Sequence, residues 1–132
     1  MRTKASLTLA DVKKILAACE ASAVENKWAV AISVVDDGGF LLGLSRMDGA
    51  PAISAEVSAG KARTSALTGR PSKFFEEFVK QRPAFVAFPA GLLIQGGMPV
   101  MHGNECVGAV GVSGVQSHQD EQVAQAGANA LG

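Results

Sequence analysis

His102 and His118 are the only imidazoles in the chain. With Ser113, Asp36, Asp120, Arg46 and Lys61 they make up its candidate chemistry. An imidazole can ligate a metal or move protons near neutral pH. Neither histidine has a partner at metal-ligand spacing, so no dedicated zinc site is expected. A haem iron asks for less, since a single axial histidine or methionine can suffice; Met47, Met98 and Met101 are therefore further candidates. His102 falls in an expected turn. His118 opens an expected helix beside Asp120, where backbone N–H groups attract anions. Ser113 and His118 lie close together without a third member, which gives poor support to Ser/His catalysis. Asp36, Asp120 and His118 remain as candidate acid–base groups.

Arg46-Met47-Asp48-Gly49 places charges at the end of an apolar run, and Lys61 and Arg63 follow on the next helical stretch. One reading is structural, with Arg46 pairing to Asp48 or Asp36 and fixing a strand end. The other is a cationic pocket in which Arg46 and Lys61 grip a carboxylate, either an organic acid or a haem propionate. There is no Walker A loop and no GxSxG elbow. Gly108, Gly111 and Gly114 are three apart, which is not the dinucleotide fingerprint; they read as room for the thin final helix to pack closely.

The elements that must position these groups follow from periodicity. Thr8 and Asp11 approximate a capping box, with Leu7 and Val12 at the staple positions. Leu9, Val12, Leu16, Cys19 and Ala23 then predict an amphipathic helix from Leu9 to Asn26. Ala29–Val35 is almost continuously apolar, and Asp36-Asp37-Gly38-Gly39 joins it to Phe40–Leu44. Asp-Gly at that place predicts a hairpin with a type I′ turn, and a first strand covered on both faces. Ile53, Val57, Gly60, Thr64 and Leu67 predict a second helical stripe over Pro51–Leu67, with a close backbone contact at Gly60. Ser72–Lys80 reads as a shorter helix and Arg82–Gly91 as loop. A second hairpin is expected, with Leu92–Met101 on one side, His102–Glu105 as its turn and Cys106–Val112 returning. Pro99 suits an edge strand. Ser117 and Asp120 are expected to cap a last helix of small residues, His118 to Leu131. Hairpins sheathed by helices make an α+β fold with an antiparallel sheet.

With 132 residues, 48% hydrophobic and 18% charged, the chain is expected to form one domain over 1–132. Twelve basic and twelve acidic side chains give no net charge, which argues against nucleic-acid or membrane-surface partners. The two cysteines, Cys19 and Cys106, form neither a disulfide scaffold nor a zinc motif. The N-terminus lacks an apolar run of signal-peptide length, so a cytoplasmic location is expected. The uncharged stretch Ala84–Asn104 is interrupted by Pro89, Gly91, Gly96, Gly97 and Pro99 and does not read as a spanning helix.

Five blocks stand in a familiar order: Val34–Gly39, Arg46–Ala50, Lys61–Pro71, Gly96–Val100 and Val107–Gly114, followed by Gln119-Asp120-Glu121. Together they resemble the GlcG/HbpS-like family, whose domain also occurs at the C-terminus of some propanediol-utilisation adenosyltransferases. The resemblance covers about Leu7 to Leu131. It implies a profilin-like antiparallel sheet flanked by helices and assembly into homo-oligomers, from dimers to octamers. It also implies haem binding or sensing in small-molecule catabolism, but carries no particular haem ligand onto this sequence. By residue type, His118 or His102 is the candidate haem ligand, and Arg46, Lys61 and Ser113 are candidate ligand-binding residues. The alternative is a cofactor-independent enzyme or binder for a small organic acid or carbonyl compound, using Asp36, Asp120 or His118 as its acid–base group.

Overall fold

The computed structural model describes residues 1–132. Its elements are α1 (Leu9–Glu25), β1 (Ala31–Asp36), β2 (Leu41–Arg46), α2 (Ser54–Thr68), α3 (Ser72–Gln81), a 3-10 turn (Pro83–Ala87), β3 (Gly97–His102), β4 (Glu105–Ser113) and α4 (Ser117–Ala128). The four strands form one antiparallel sheet in the order β2-β1-β4-β3, so the fold is α+β as expected.

Thr8 starts α1 in both directions. The Asp11 N–H donates to Thr8 Oγ1 at 3.1 Å, and the Thr8 N–H donates to Asp11 Oδ2 at 2.8 Å. These bonds hold the Asp11 carboxyl below the usual carboxylate range. The buried face of α1 is Val12, Ile15, Cys19 and Ala23. Leu9, expected on that face, is exposed rather than part of the core. Burial pushes the Cys19 thiol up to about 12, which makes it an inert packing residue.

The first hairpin forms where Asp-Gly predicts it, with a different turn. Only Gly39 has positive φ (81°), whereas a type I′ turn needs two such residues. The Gly39 N–H donates to Asp36 O at 3.0 Å, and Asp36 Oδ1 accepts the N–H groups of Gly38 and Phe40, both at 2.9 Å. The side chain of Asp36 therefore shapes the turn.

β1 is buried along both faces. Ile32 and Val34 join α1 and α4 in the larger core, while Val35 packs with Ala62 and Ala66 of α2. The apolar stripe expected for α2 is not the one it buries. Ile53 and Leu67 are exposed, and the buried face is Ser54, Ser58, Lys61, Ala62, Thr64, Ser65 and Ala66. The reason lies in the sheet opposite. A Cβ on Gly111 would strike Ser58 O and Ala62 N, and one on Gly97 would strike Lys61 O. The backbones approach so closely that only small side chains fit between them. Ser58 finds its partner there, with its Oγ 2.7 Å from Ser33 Oγ.

Gly111 thus accommodates α2 and not the last helix. The close approach of α4 is instead to α1, where Gly127 faces Ile15 and Cys19. The close contact expected at Gly60 is present: the Leu92 N–H donates to Gly60 O at 3.0 Å. Leu92–Ile94 is consequently strapped over α2 and α3 and forms no strand. Its carbonyls take Thr64 Oγ1 at 2.8 Å and Ser72 Oγ at 2.6 Å. β3 starts only at Gly97 and lies at the sheet edge, where Pro99 is tolerated. α4 ends at Ala128, short of Leu131, and is capped by Gln116 and Gln119 rather than by Ser117 and Asp120. Asp120 is engaged elsewhere. No helix is long and apolar enough to cross a membrane.

Candidate functional site

Lys61 projects from α2 through the end of the sheet to Asp120 on α4. Its Nζ lies 3.1 Å from Asp120 Oδ2 and donates to Val112 O at 3.0 Å. Asp120 Oδ1 accepts the Val115 N–H at 3.2 Å. Both side chains are buried, at 3% and 2% exposure, so neither group meets solvent ligands. Burial pushes the Asp120 carboxyl above its ordinary range, against the opposing pull of Lys61. The pair joins two helices on opposite faces of the sheet. It removes Lys61 from a cationic pocket and Asp120 from acid–base work at an open site.

The other candidates are dispersed. Arg46 ends β2, exposed and without an ion-pair partner; the expected pairing with Asp48 or Asp36 is absent. Arg46 registers with Ala31 at the start of β1, whereas Asp36 lies at the far end of that strand. Ser113, half-buried, registers with the same Ala31 from β4. His118 is exposed on the first turn of α4 and lines a shallow polar depression with Ser22, Gln122 and Gln125. No group of three histidine, cysteine or acidic side chains is positioned to hold a metal ion.

His102 is placed differently. It lines a cleft of about 400 Å³ where the N-terminal segment, the β3–β4 turn and the C-terminal residues meet. Leu7, Met101, Val107, Ala128 and Leu131 give the cleft apolar walls, and Asp11 is its only charged lining residue. That volume lies within the range of small-molecule and cofactor sites, roughly 300–1,000 Å³. Met101 also lines a second hollow, shared with Met98, Pro99 and Gln125, and Met98 lines a third with Phe74, Phe78 and Glu121. The three hollows are distinct but lie along β3 and α4, with His102 in the first and Met101 and Met98 on the borders between them.

The residue types of these hollows are partly legible in the sequence, since His102, Met98 and Met101 are candidate ligands by type. Glu121, Phe74 and Phe78 were missed as site residues. Phe74 and Phe78 stand four apart on the exposed-to-buried boundary of α3, and Glu121 stands three after His118, spacings that put each pair on one helix face.

Comparison with known proteins places the chain among relatives. Residues 7–129 match the family described as haem-degrading, HbpS-like proteins. The chain is 47% identical over 114 residues to Protein GlcG of Escherichia coli K12, covering 86% of this chain and 85% of that one. A crystal structure of an HbpS double mutant from Streptomyces reticuli superposes with a TM-score of 0.93 at 32% identity, covering 100% of this chain and 91% of that chain. The fold also matches that of PduOC crystallised with haem, with a TM-score of 0.87 at 22% identity over 96% of this chain and 95% of that one.

Proposed function

Because the chain belongs to the HbpS-like family, we propose that it binds haem, and that the His102 cleft is where it does so. The observation that carries this reading is an exposed histidine at a cleft of mixed polar and apolar lining, with a methionine beside it and a second in the adjoining hollow. Those groups fit a planar apolar macrocycle with a soft or borderline axial ligand. Bound there, haem would supply iron-centred redox and ligand-binding chemistry. Leu7, Val107 and Leu131 would shield one face, and His102 would offer its imidazole. No lysine or arginine lines the cleft, so the propionates are left to the open mouth and not to Arg46 or Lys61.

Titrating the purified protein with hemin tests the assignment. A saturable Soret shift is expected, weakened about tenfold or more in His102→Ala and retained in His118→Ala. Loss in His118→Ala with full binding in His102→Ala would overturn the site, and no saturable shift at all would overturn the function. A binder of small organic acids is the less favoured reading, because the cations it needs are separated and Lys61 is already paired.

The same reading includes assembly of the chain as a homo-oligomer in the cytoplasm. Leu41 and Leu44 lie on the free edge strand β2, and with Phe40 they are exposed. Exposed apolar side chains along an unpaired strand edge favour association. Both cysteines are free thiols, in keeping with a reducing compartment. Light scattering on the protein in solution should give a mass of at least two chains, and Leu41→Lys with Leu44→Lys should reduce it. A monomer at high micromolar concentration would refute the assembly.

A further inference from the structure

A separate groove of about 420 Å³ opens between α3 and α4, lined by Pro71, Lys73, Phe74, Phe78, Met98 and Glu121 among others. We propose that it binds a small organic ammonium ion, with an aromatic or aliphatic body against Phe74, Phe78 and Met98 and Glu121 as counter-charge.

Glu121 carries the argument. It has no lysine, arginine or histidine within ion-pair distance, and its Oε2 is shut off from water without a hydrogen-bond donor. Glu121 is half-buried, and this one oxygen lacks both hydration and a partner, so a cation delivered by a ligand can satisfy it where solvent does not reach. Glu77, the other acid of the lining, is already matched by Lys80 at 3.3 Å. Lys73 is exposed and hydrated, so it makes a weaker demand for an anion than Glu121 makes for a cation.

The aromatic wall suits the same charge. Phe74 and Phe78 stack at 6.1 Å, and the guanidinium of Arg70 already sits 4.3 Å from the Phe74 ring centre. Aromatic faces attract ammonium groups through their quadrupole, and Met98 adds a polarisable contact. A divalent metal is disfavoured because the groove offers one unpaired carboxylate and not a set of oxygen ligands.

Calorimetric titration of the unmodified protein with phenethylammonium, 2-phenylethanol and 3-phenylpropionate tests the assignment. These probes share one apolar body and differ in charge. The ammonium should bind saturably and the alcohol about tenfold more weakly, with the carboxylate weaker still. In Glu121→Gln the advantage of the ammonium over the alcohol should vanish while the thermal midpoint is kept. Phe74→Ala should weaken all three. Equal or tighter binding of the carboxylate overturns the proposal, as does an ammonium preference that survives Glu121→Gln. Absence of saturable ammonium binding also overturns it. Haem binding at the His102 cleft should be unaffected by Glu121→Gln, so failure of one site is distinguishable from failure of the other.

Discussion

Replacing Lys61 by Met is expected to destabilise the protein by about 3–5 kcal/mol at neutral pH, a large part of a typical domain's total. The substitution keeps an unbranched apolar stem of similar length but deletes the ammonium. Asp120 is then left with the Val115 N–H alone, at 2% side-chain exposure. Val112 O also loses a donor. The deficit should depend on pH in a definite direction. Asp120 already titrates above the ordinary carboxylate range because of burial, and removing Lys61 raises it further. An acid with a raised folded-state pKa favours the fold below its unfolded value, near 3.9, and loses that contribution as pH rises through the folded value. Urea denaturation at several pH values should show the deficit of Lys61→Met shrinking towards pH 4 and growing towards pH 7. A deficit below about 1 kcal/mol at pH 7 would show that the pair is not a clasp between α2 and α4.

The second large effect is expected at a position with no side chain. Gly111→Ala should cost at the upper end of roughly 1–3 kcal/mol, or more, because its Cβ meets backbone atoms of Ser58 and Ala62. Backbone yields less readily than a side-chain tip, so α2 must lift from the sheet. Lifting it would strain the Ser33–Ser58 hydroxyl contact and the Lys61 bonds at once. Gly103→Ala makes an internal control for close packing, since nothing lies within 4 Å of its Cβ, although its φ of 61° adds backbone strain. A chemical-denaturation midpoint unchanged in Gly111→Ala would contradict the close packing described above.

Local signals carried much of the fold. Thr8 with Asp11, Asp36 to Gly39, and the β-branched run before them each act over a few residues, and each appears in place. The buried face of α2 was not legible, because Ser54, Ser58, Lys61 and Ser65 look like a solvated face by polarity alone. Their burial depends on Gly97 and Gly111, which lie on other strands. Lys61 becomes a core residue only because Asp120, 59 residues away along the chain, meets it. The candidate site was legible in its residue types but not in its grouping. His102 acquires a cleft from the two chain ends and a strand turn, a meeting that no local pattern encodes.

The strand order has a consequence for how the chain comes into being. β1 and β2 pair locally, as do β3 and β4, yet the sheet closes only when Val34 finds Val110. During synthesis the first hairpin must wait, with an apolar inner edge bare, until most of the polypeptide has emerged. Closure across so long a loop makes docking of the two hairpins the slow event in refolding. The nascent first half is thus the form of this protein most exposed to mispairing with a neighbouring copy.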